Sequence, residues 1–184
     1  MQPRTSQLLD RLSESATIAM SRKARELKAA GRDIISLSLG EPDFDTPDPI
    51  KAAGIRAIEE NHTHYPPVPG FADVRQAICA KLQRDNGLSY QPDQIVVSTG
   101  AKHSLMNVVL SLVDTGDEVI LPTPFWVSYA DMVNLAGGQV VEVHTGIAQD
   151  FKMTADHLRH ALTERTRVVM LNSPNNPSGS VYTA

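Results

Sequence analysis

Residues 118–143 read EVILPTPFWVSYADMVNLAGGQVVEV, in which two short apolar runs flank a stretch with helical spacing. The runs at 118–121 and 139–143 predict buried strands, and the stretch at 127–136 predicts a helix between them. Two strands joined by a helix in this way form a right-handed unit whose strands lie parallel. The segment therefore predicts an α/β fold with a mostly parallel sheet.

The alternation of strands and helices extends on both sides of this segment. Short apolar runs at 34–39, 95–98 and 167–171 predict further strands. Because the strands are apolar on both faces, we expect helices on both faces of the sheet. Thr154 is predicted to be the N-cap of a helix. The predicted helices cover residues 21–30, 50–60, 71–86, 102–113 and 154–162.

Composition and charge restrict the class of protein. The chain has 184 residues, of which 41% are hydrophobic, and its 17 basic and 21 acidic side chains give a net charge of −4. This is typical of a globular protein, and the acidic balance gives no reason to expect a nucleic-acid partner. No window approaches the roughly 20 apolar residues that span a membrane. Arg4, Asp10 and Arg11 stand where a secretory signal needs an apolar run, so we expect a cytoplasmic protein.

Disulfide and metal chemistry are not expected. Cys79 is the only cysteine of the chain, so an internal disulfide cannot form. His62 and His64 lie two residues apart, but no third ligand follows at a spacing typical of a metal site. The sequence therefore predicts no metal centre.

Small residues follow the predicted strand at 95–98, where the chain reads STGAK at 98–102. In open parallel sheets, ligands bind beyond the carboxyl ends of the strands. Backbone N–H groups in the first turn of the next helix attract anions such as phosphate, and Lys102 adds a positive charge. An ordinary turn with a solvated lysine explains the same residues, since the stretch matches neither common glycine-rich phosphate motif.

Two further strand ends carry unusual side chains. Trp126 is the only tryptophan, and its ring can stack on a flat heteroaromatic ligand or pack into the core. The run NSPNNPSG at 172–179 combines three amide side chains with two prolines, which is typical of a binding loop but also of a rigid turn. The bonds Thr123–Pro124 and Asn176–Pro177 are predicted to be cis.

Seven short segments stand in one order along the chain: SAT (15–17), GEPDFDTP (40–47), Tyr65 followed by Gly70, GAK (100–102), GDEV (116–119), FWVSY (125–129) and NSPNNPSG (172–179). In this order and spacing they resemble the class I aminotransferases of the fold-type-I pyridoxal-phosphate enzymes. The likeness is strongest to the bacterial aspartate aminotransferase group and runs through nearly the whole chain. It implies pyridoxal 5′-phosphate (PLP) as the cofactor.

The resemblance implies that five residues bind the cofactor of their own subunit. Gly100, Ala101 and Lys102 would hold the cofactor phosphate at the start of a helix. Trp126 would stack on the pyridine ring, and Asn176 would donate a hydrogen bond to the phenolate oxygen of the ring. Trp126 and Asn176 are also expected to contact the substrate.

The resemblance also implies residues for the substrate and for a partner subunit. Gly40 would offer its backbone N–H to the α-carboxylate of the substrate. Ser15, Thr17 and Lys102 would lie near the distal carboxylate of a dicarboxylic substrate. Tyr65 would reach the cofactor phosphate of the second subunit, so we expect a homodimer.

The activity implied by the resemblance is PLP-dependent transamination between an amino acid, L-aspartate, and a 2-oxo acid, 2-oxoglutarate. The family's Schiff-base lysine lies downstream of the segments matched here, and neither Lys102 nor Lys152 replaces it. We therefore expect the chain to be the N-terminal half of such an enzyme and to be inactive alone. Residues 1–46 would form an N-terminal arm with part of a small domain, and residues 47–184 the first part of the large PLP-binding domain.

Three alternative interpretations fit the same residues. An aminotransferase for aromatic or prephenate-like substrates would use the same segments, because they leave the side-chain pocket unspecified. A PLP-dependent carbon–sulfur lyase would use the same cofactor site for another reaction. A third alternative is a remnant without catalytic function.

Overall fold

The computed structural model describes residues 6–9, 12, 16–38 and 40–183. These residues divide into two compact units, one formed by residues up to 38 together with 105 onward, the other by residues 39–104. Short 3₁₀ helices lie at Pro92–Gln94 and Ile147–Gln149. The main elements are α1 (Ala16–Ala29), α2 (Asp48–Glu59), α3 (Ala72–Asn86), α4 (Ala101–Leu112), β1 (Glu118–Thr123), α5 (Ser128–Ala136), β2 (Gln139–His144), α6 (Ala155–Ala161) and β3 (Thr166–Val169).

The first unit contains a parallel sheet of three strands in the order β2-β1-β3. Glu118 lies opposite Gln139 of β2 and opposite Thr166 of β3, and both pairings are parallel. Each neighbour of β1 follows it in the chain after at least one helix, as parallel pairing requires. The α/β fold with a parallel sheet is therefore confirmed.

The core of the first unit is built on β1, which is buried on both faces. Val119 and Leu121 have no exposed surface and pack in one cluster with Val109 of α4 and Val133 of α5. Ile120 points to the opposite face, since side chains alternate along a strand, and it is also fully buried. A central strand of this kind explains the continuous apolar run in the sequence.

The turn between α5 and β2 brings two elements into close approach. Gly137 ends α5 in the left-handed region, with φ of 89°, where glycine has no steric cost. A Cβ atom on Gly138 would lie 2.5 Å from Cγ1 of Val113 and 3.1 Å from Cγ1 of Val133. Only glycine therefore fits between α5 and the end of α4.

In the second unit, Arg75 of α3 fixes two loops. Its Nη1 donates to the carbonyl oxygen of Pro92 at 2.8 Å, and its Nε donates to that of Gly70 at 3.2 Å. The N–H of Val97 donates to the carbonyl oxygen of Pro69 at 3.0 Å. The segment after the 3₁₀ helix Pro92–Gln94 is therefore held in place by the loop that contains Pro69.

Two of the predicted strands are wrong. Residues 95–98 and 34–38 form no strand, while Leu39 lies outside the described residues. The physical reason is that a strand requires a partner, and no strand within the described ranges pairs with either segment. Without a partner strand, the side chains of Ile35 and Leu37 are almost fully exposed.

The structure agrees with several local predictions. The hydroxyl of Thr154 accepts the N–H of His157 at 3.2 Å, which confirms it as the N-cap of α6. The bonds Thr123–Pro124 and Asn176–Pro177 are cis as predicted, and Ser173–Pro174 is cis as well. Among the described residues, no helix has the length and apolar character needed to cross a bilayer.

Candidate functional site

The loop between β1 and α5 presents Trp126. The N–H of Tyr129 donates to the carbonyl oxygen of Trp126 at 2.9 Å, which leads the chain into α5. The rings of Trp126 and Tyr129 meet edge to face, with centroids 5.5 Å apart and planes at 89°. Because Tyr129 is buried in the core, this contact anchors the half-buried indole at the end of β1.

The loop after β3 presents Asn176. The side-chain oxygen of Asn172 accepts the Asn176 N–H at 2.8 Å and fixes its backbone. The side chain of Asn176 is exposed, and within the described part of the chain its amide makes no hydrogen bond. The amide is therefore available to a ligand as both a donor and an acceptor.

These two loops follow the carboxyl ends of the adjacent strands β1 and β3. The side-chain nitrogen of Asn175 donates to the carbonyl oxygen of Pro124 at 3.2 Å and links the loops directly. The structure thus joins the loops that carry Trp126 and Asn176 within the first unit. Ligands in open parallel sheets bind at this edge.

A turn of the chain ties the end of the Asn176 loop to residues 150–153. The Tyr182 hydroxyl accepts the Met153 N–H at 2.6 Å, and the Ser180 hydroxyl donates to Asp150 at 3.2 Å. The Lys152 ammonium lies 2.8 Å from the Asp150 carboxylate. The hydrogen bond and the positive charge of Lys152 hold the pKa of Asp150 below its usual value. Asp150 therefore stays ionised and keeps this attachment.

The second unit carries the predicted phosphate residues. Gly100 has φ of 81° and directly precedes α4, which begins at Ala101 and continues through Lys102. A Cβ on Gly100 would meet no atom within 4 Å, so the space beside it is open. The first N–H groups of a helix have no partner within the helix and favour an anion. The predicted convergence of Gly100 with Trp126 and Asn176 stays a prediction.

The remaining predicted residues lie on exposed or partly exposed segments. Gly40 and Tyr65 are exposed in the second unit, and the Tyr65 side chain is fully accessible. Thr17 lies in the first turn of α1 and lines an apolar groove of about 530 Å³ together with Met20 and Ile34. Ser15 lies outside the described residues.

The sequence did not single out Asn172, Asn175 or Tyr182 as individual residues. All three hold the Asn176 loop in place through the hydrogen bonds given above. The only signal was the amide-rich run itself, in which three asparagines look alike. No group of three or more metal-binding side chains occurs in the parts of the chain that the structure describes.

The fold and these loops define an α/β protein with a candidate ligand site at the carboxyl edge of its sheet. Residues 32–184 match the family "Aminotransferase class I and II", and the chain belongs to that family. It is 52% identical over 178 residues to the aspartate/prephenate aminotransferase of Cereibacter sphaeroides, covering 97% of this chain and 44% of the relative. It is 51% identical over 174 residues to the aspartate aminotransferase of Geobacillus stearothermophilus, covering 94% of this chain and 44% of the relative.

Solved structures show the same relationship. The aspartate aminotransferase of Thermus thermophilus with maleate superposes with a TM-score of 0.94 at 43% identity, covering 99% of this chain and 48% of that one. The alanine aminotransferase of Pyrococcus furiosus superposes with a TM-score of 0.92 at 33% identity, covering 98% and 46%. The chain therefore spans a little under half the length of the relatives it matches.

Proposed function

We propose that this chain forms the N-terminal part of a PLP-dependent aminotransferase that uses L-aspartate and 2-oxoglutarate. The observation that carries the proposal is the 52% identity to an aspartate/prephenate aminotransferase over 97% of the chain. The matched region includes every segment for which we predict a role in binding. The division into a part of a small domain at 1–46 and a part of the large domain at 47–184 belongs to the same proposal.

The residues present fit the chemistry of PLP. The cofactor is a flat pyridine ring that bears a phenolate oxygen and a phosphate, and when bound it supplies an electron sink that makes the substrate α-proton acidic. The open turn at Gly100 and the start of α4 suit a phosphate. The exposed amide of Asn176 suits the phenolate oxygen.

In this proposal Gly100, Ala101 and Lys102 bind the phosphate, and Trp126 lies against the ring. Asn176 donates to the phenolate oxygen and so stabilises its negative charge. A charge-assisted hydrogen bond of this kind is stronger than a neutral one. These residues orient the cofactor, and Trp126 with Asn176 also contacts the substrate.

The substrate is held in the proposal by a second set of residues. The backbone N–H of Gly40 binds the α-carboxylate, and Ser15, Thr17 and Lys102 lie near the distal carboxylate. Tyr65, whose side chain is fully exposed, binds the cofactor phosphate of a second subunit in a homodimer. We place the enzyme in the cytoplasm.

The lysine that attaches the cofactor covalently belongs, in this proposal, to the part of the relatives that the chain does not cover. Lys152 is paired with Asp150 at 2.8 Å, and Lys102 serves the phosphate. The 184-residue chain alone should therefore neither transaminate nor retain PLP after borohydride reduction. Borohydride trapping of PLP on this chain would contradict the proposal.

The decisive experiment reads the DNA past codon 184 and assays the polypeptide encoded by the whole reading frame. An open frame that supplies a further lysine, with oxaloacetate and glutamate formed from aspartate and 2-oxoglutarate, supports the proposal. A stop codon together with no PLP binding would instead support a non-catalytic remnant.

Two other activities are tested in the same assay. The name of the Cereibacter sphaeroides relative favours prephenate as a second amino acceptor, which the assay tests by replacing 2-oxoglutarate with prephenate. Ammonia and pyruvate released from a sulfur amino acid would point to a carbon–sulfur lyase.

A further inference from the structure

The side chain of Asn175 uses both ends of its amide within the protein. Its Nδ2 donates to the carbonyl oxygen of Pro124 at 3.2 Å. Its Oδ1 accepts the Ser178 N–H at 3.1 Å and the Ser178 hydroxyl at 3.0 Å, so both acceptor positions of the oxygen are filled. The hydrogen bonds of the Asn175 amide are therefore made within the protein, whereas the neighbouring Asn176 amide is exposed.

The backbone of Asn175 closes the loop around it. Its N–H donates to the carbonyl oxygen of Ser180 at 2.9 Å, and its carbonyl oxygen accepts the Gly179 N–H at 2.8 Å. Together with the side-chain bonds to Ser178, these contacts fix residues 175–180 as one rigid turn. Any movement of Asn175 therefore moves the whole turn that carries Asn176.

The bond to Pro124 joins this turn to the other loop. Pro124 precedes Trp126 by two residues. Asn175, Asn172, Phe125 and Tyr129 line a cavity of about 10 Å³, which is at the lower limit for one water molecule. The two loops are thus packed against each other beside Asn175.

We infer that Asn175 is a positioning residue that sets the separation of the Trp126 ring and the Asn176 amide. The inference rests on the proposed function insofar as these two groups bind opposite features of one cofactor, a ring face and a ring oxygen. If the Asn175–Pro124 bond is lost, the two loops move independently, and the cofactor must order them when it binds.

The test compares Asn175→Asp with Asn107→Asp in the 184-residue chain. Asn175→Asp keeps the acceptor for Ser178 but loses the donor to Pro124. Asn107→Asp makes the same chemical change at an exposed position of α4, outside both loops. Asn175→Ala removes both the donor to Pro124 and the acceptor for Ser178 without adding charge, and it serves as the test variant if Asn175→Asp fails to fold by circular dichroism.

Two measurements separate this inference from the proposed function. Because Trp126 is the only tryptophan, acrylamide quenching of fluorescence reports on its loop without any cofactor. We expect the quenching constant to rise about twofold in both Asn175 variants as the loop loosens, and to stay at the wild-type value in Asn107→Asp. We expect the PLP dissociation constant to rise about five- to tenfold in the Asn175 variants only.

Each outcome bears on the inference. The inference is overturned if acrylamide quenching in both Asn175 variants equals that of the wild type. It is also overturned if the wild-type chain binds PLP and the Asn175 variants show changed quenching but an unchanged PLP dissociation constant. If the wild-type chain binds no PLP, the proposed cofactor role of this chain fails, and quenching alone then decides whether Asn175 couples the two loops.

Discussion

The hydroxyl of Thr163 donates a 2.6 Å hydrogen bond to the carboxylate of Glu118, the first residue of β1. The other carboxylate oxygen accepts a hydrogen bond from the Arg165 guanidinium. Glu118 is only 4% exposed, so these contacts satisfy a charge that is nearly removed from solvent. The Thr163 hydrogen bond, aided by the bond and positive charge of Arg165, lowers the pKa of Glu118 in spite of its burial.

The lowered pKa makes the stability of the chain depend on pH. A carboxyl with a lower pKa in the folded chain stabilises the fold above its unfolded pKa, and this contribution is lost as the pH falls through the folded pKa. We therefore expect the free energy of unfolding to fall as the pH drops below the ordinary carboxyl value of 4.5. Glu118→Gln should flatten this dependence, and Thr163→Val should weaken it, as measured by urea unfolding at several pH values. Identical pH profiles for wild type and Glu118→Gln would refute the assignment.

Truncation of the central strand should be costly. Leu121→Ala removes a fully buried side chain, and we expect the free energy of unfolding to fall by about 2–5 kcal/mol. Leu110→Ala is the matched control, because that leucine is 57% exposed and its loss should change stability by only about 0.5 kcal/mol. Equal effects of the two variants in denaturant unfolding would show that the core lies elsewhere.

A single methyl group should be enough to disturb the turn after α5. Gly138→Ala places a Cβ 2.5 Å from Val113, and relieving this clash should cost about 1–3 kcal/mol. At Gly146 the nearest atom to a new Cβ is 3.5 Å away and the backbone is extended, so Gly146→Ala should be close to neutral. Thermal unfolding of both variants tests this expectation. A neutral Gly138→Ala would mean that the backbone at Gly138 can move away from Val113.

The exposed amide of Asn176 should contribute to cofactor affinity. Asn176→Ala removes the proposed donor to the phenolate oxygen, and we expect the PLP dissociation constant to rise about five- to tenfold. Asn107→Ala, at an exposed position of α4, is the control and should leave the constant unchanged. Equilibrium dialysis measures both, and equal constants would remove Asn176 from the proposed site.

The sequence correctly predicted those elements that depend on residues close together in the chain. Residues 127–136 gave the helix α5 to within one residue, because apolar spacing and the glycines that follow it act within one segment. Thr154 was recognised as an N-cap for the same reason. The strand at 95–98 was predicted wrongly, because the apolar run cannot reveal whether a partner strand is present. The N–H of Val97 instead bonds to the loop at Pro69.

The site was predictable to the level of loops but not of individual contacts. The sequence placed Trp126 and Asn176 after strands, and the structure has them on linked loops after β1 and β3. It could not distinguish Asn175 from its neighbours, because the roles of three similar amides depend on which carbonyl each one reaches. Only the packing of two distant loops determines that Asn175 bonds to Pro124 while Asn176 faces outward.

The strand order also allows the strands to pair in chain order during synthesis. The central strand β1 leaves the ribosome before both of its neighbours, and β2 follows after a single helix. β1 and β2 can therefore pair while β3 is still inside the exit tunnel of the ribosome. β3 can then pair with the other edge of β1 and bring with it the turn that carries Asn176. The loop that carries Trp126 can therefore fold before the turn that carries Asn176 reaches it.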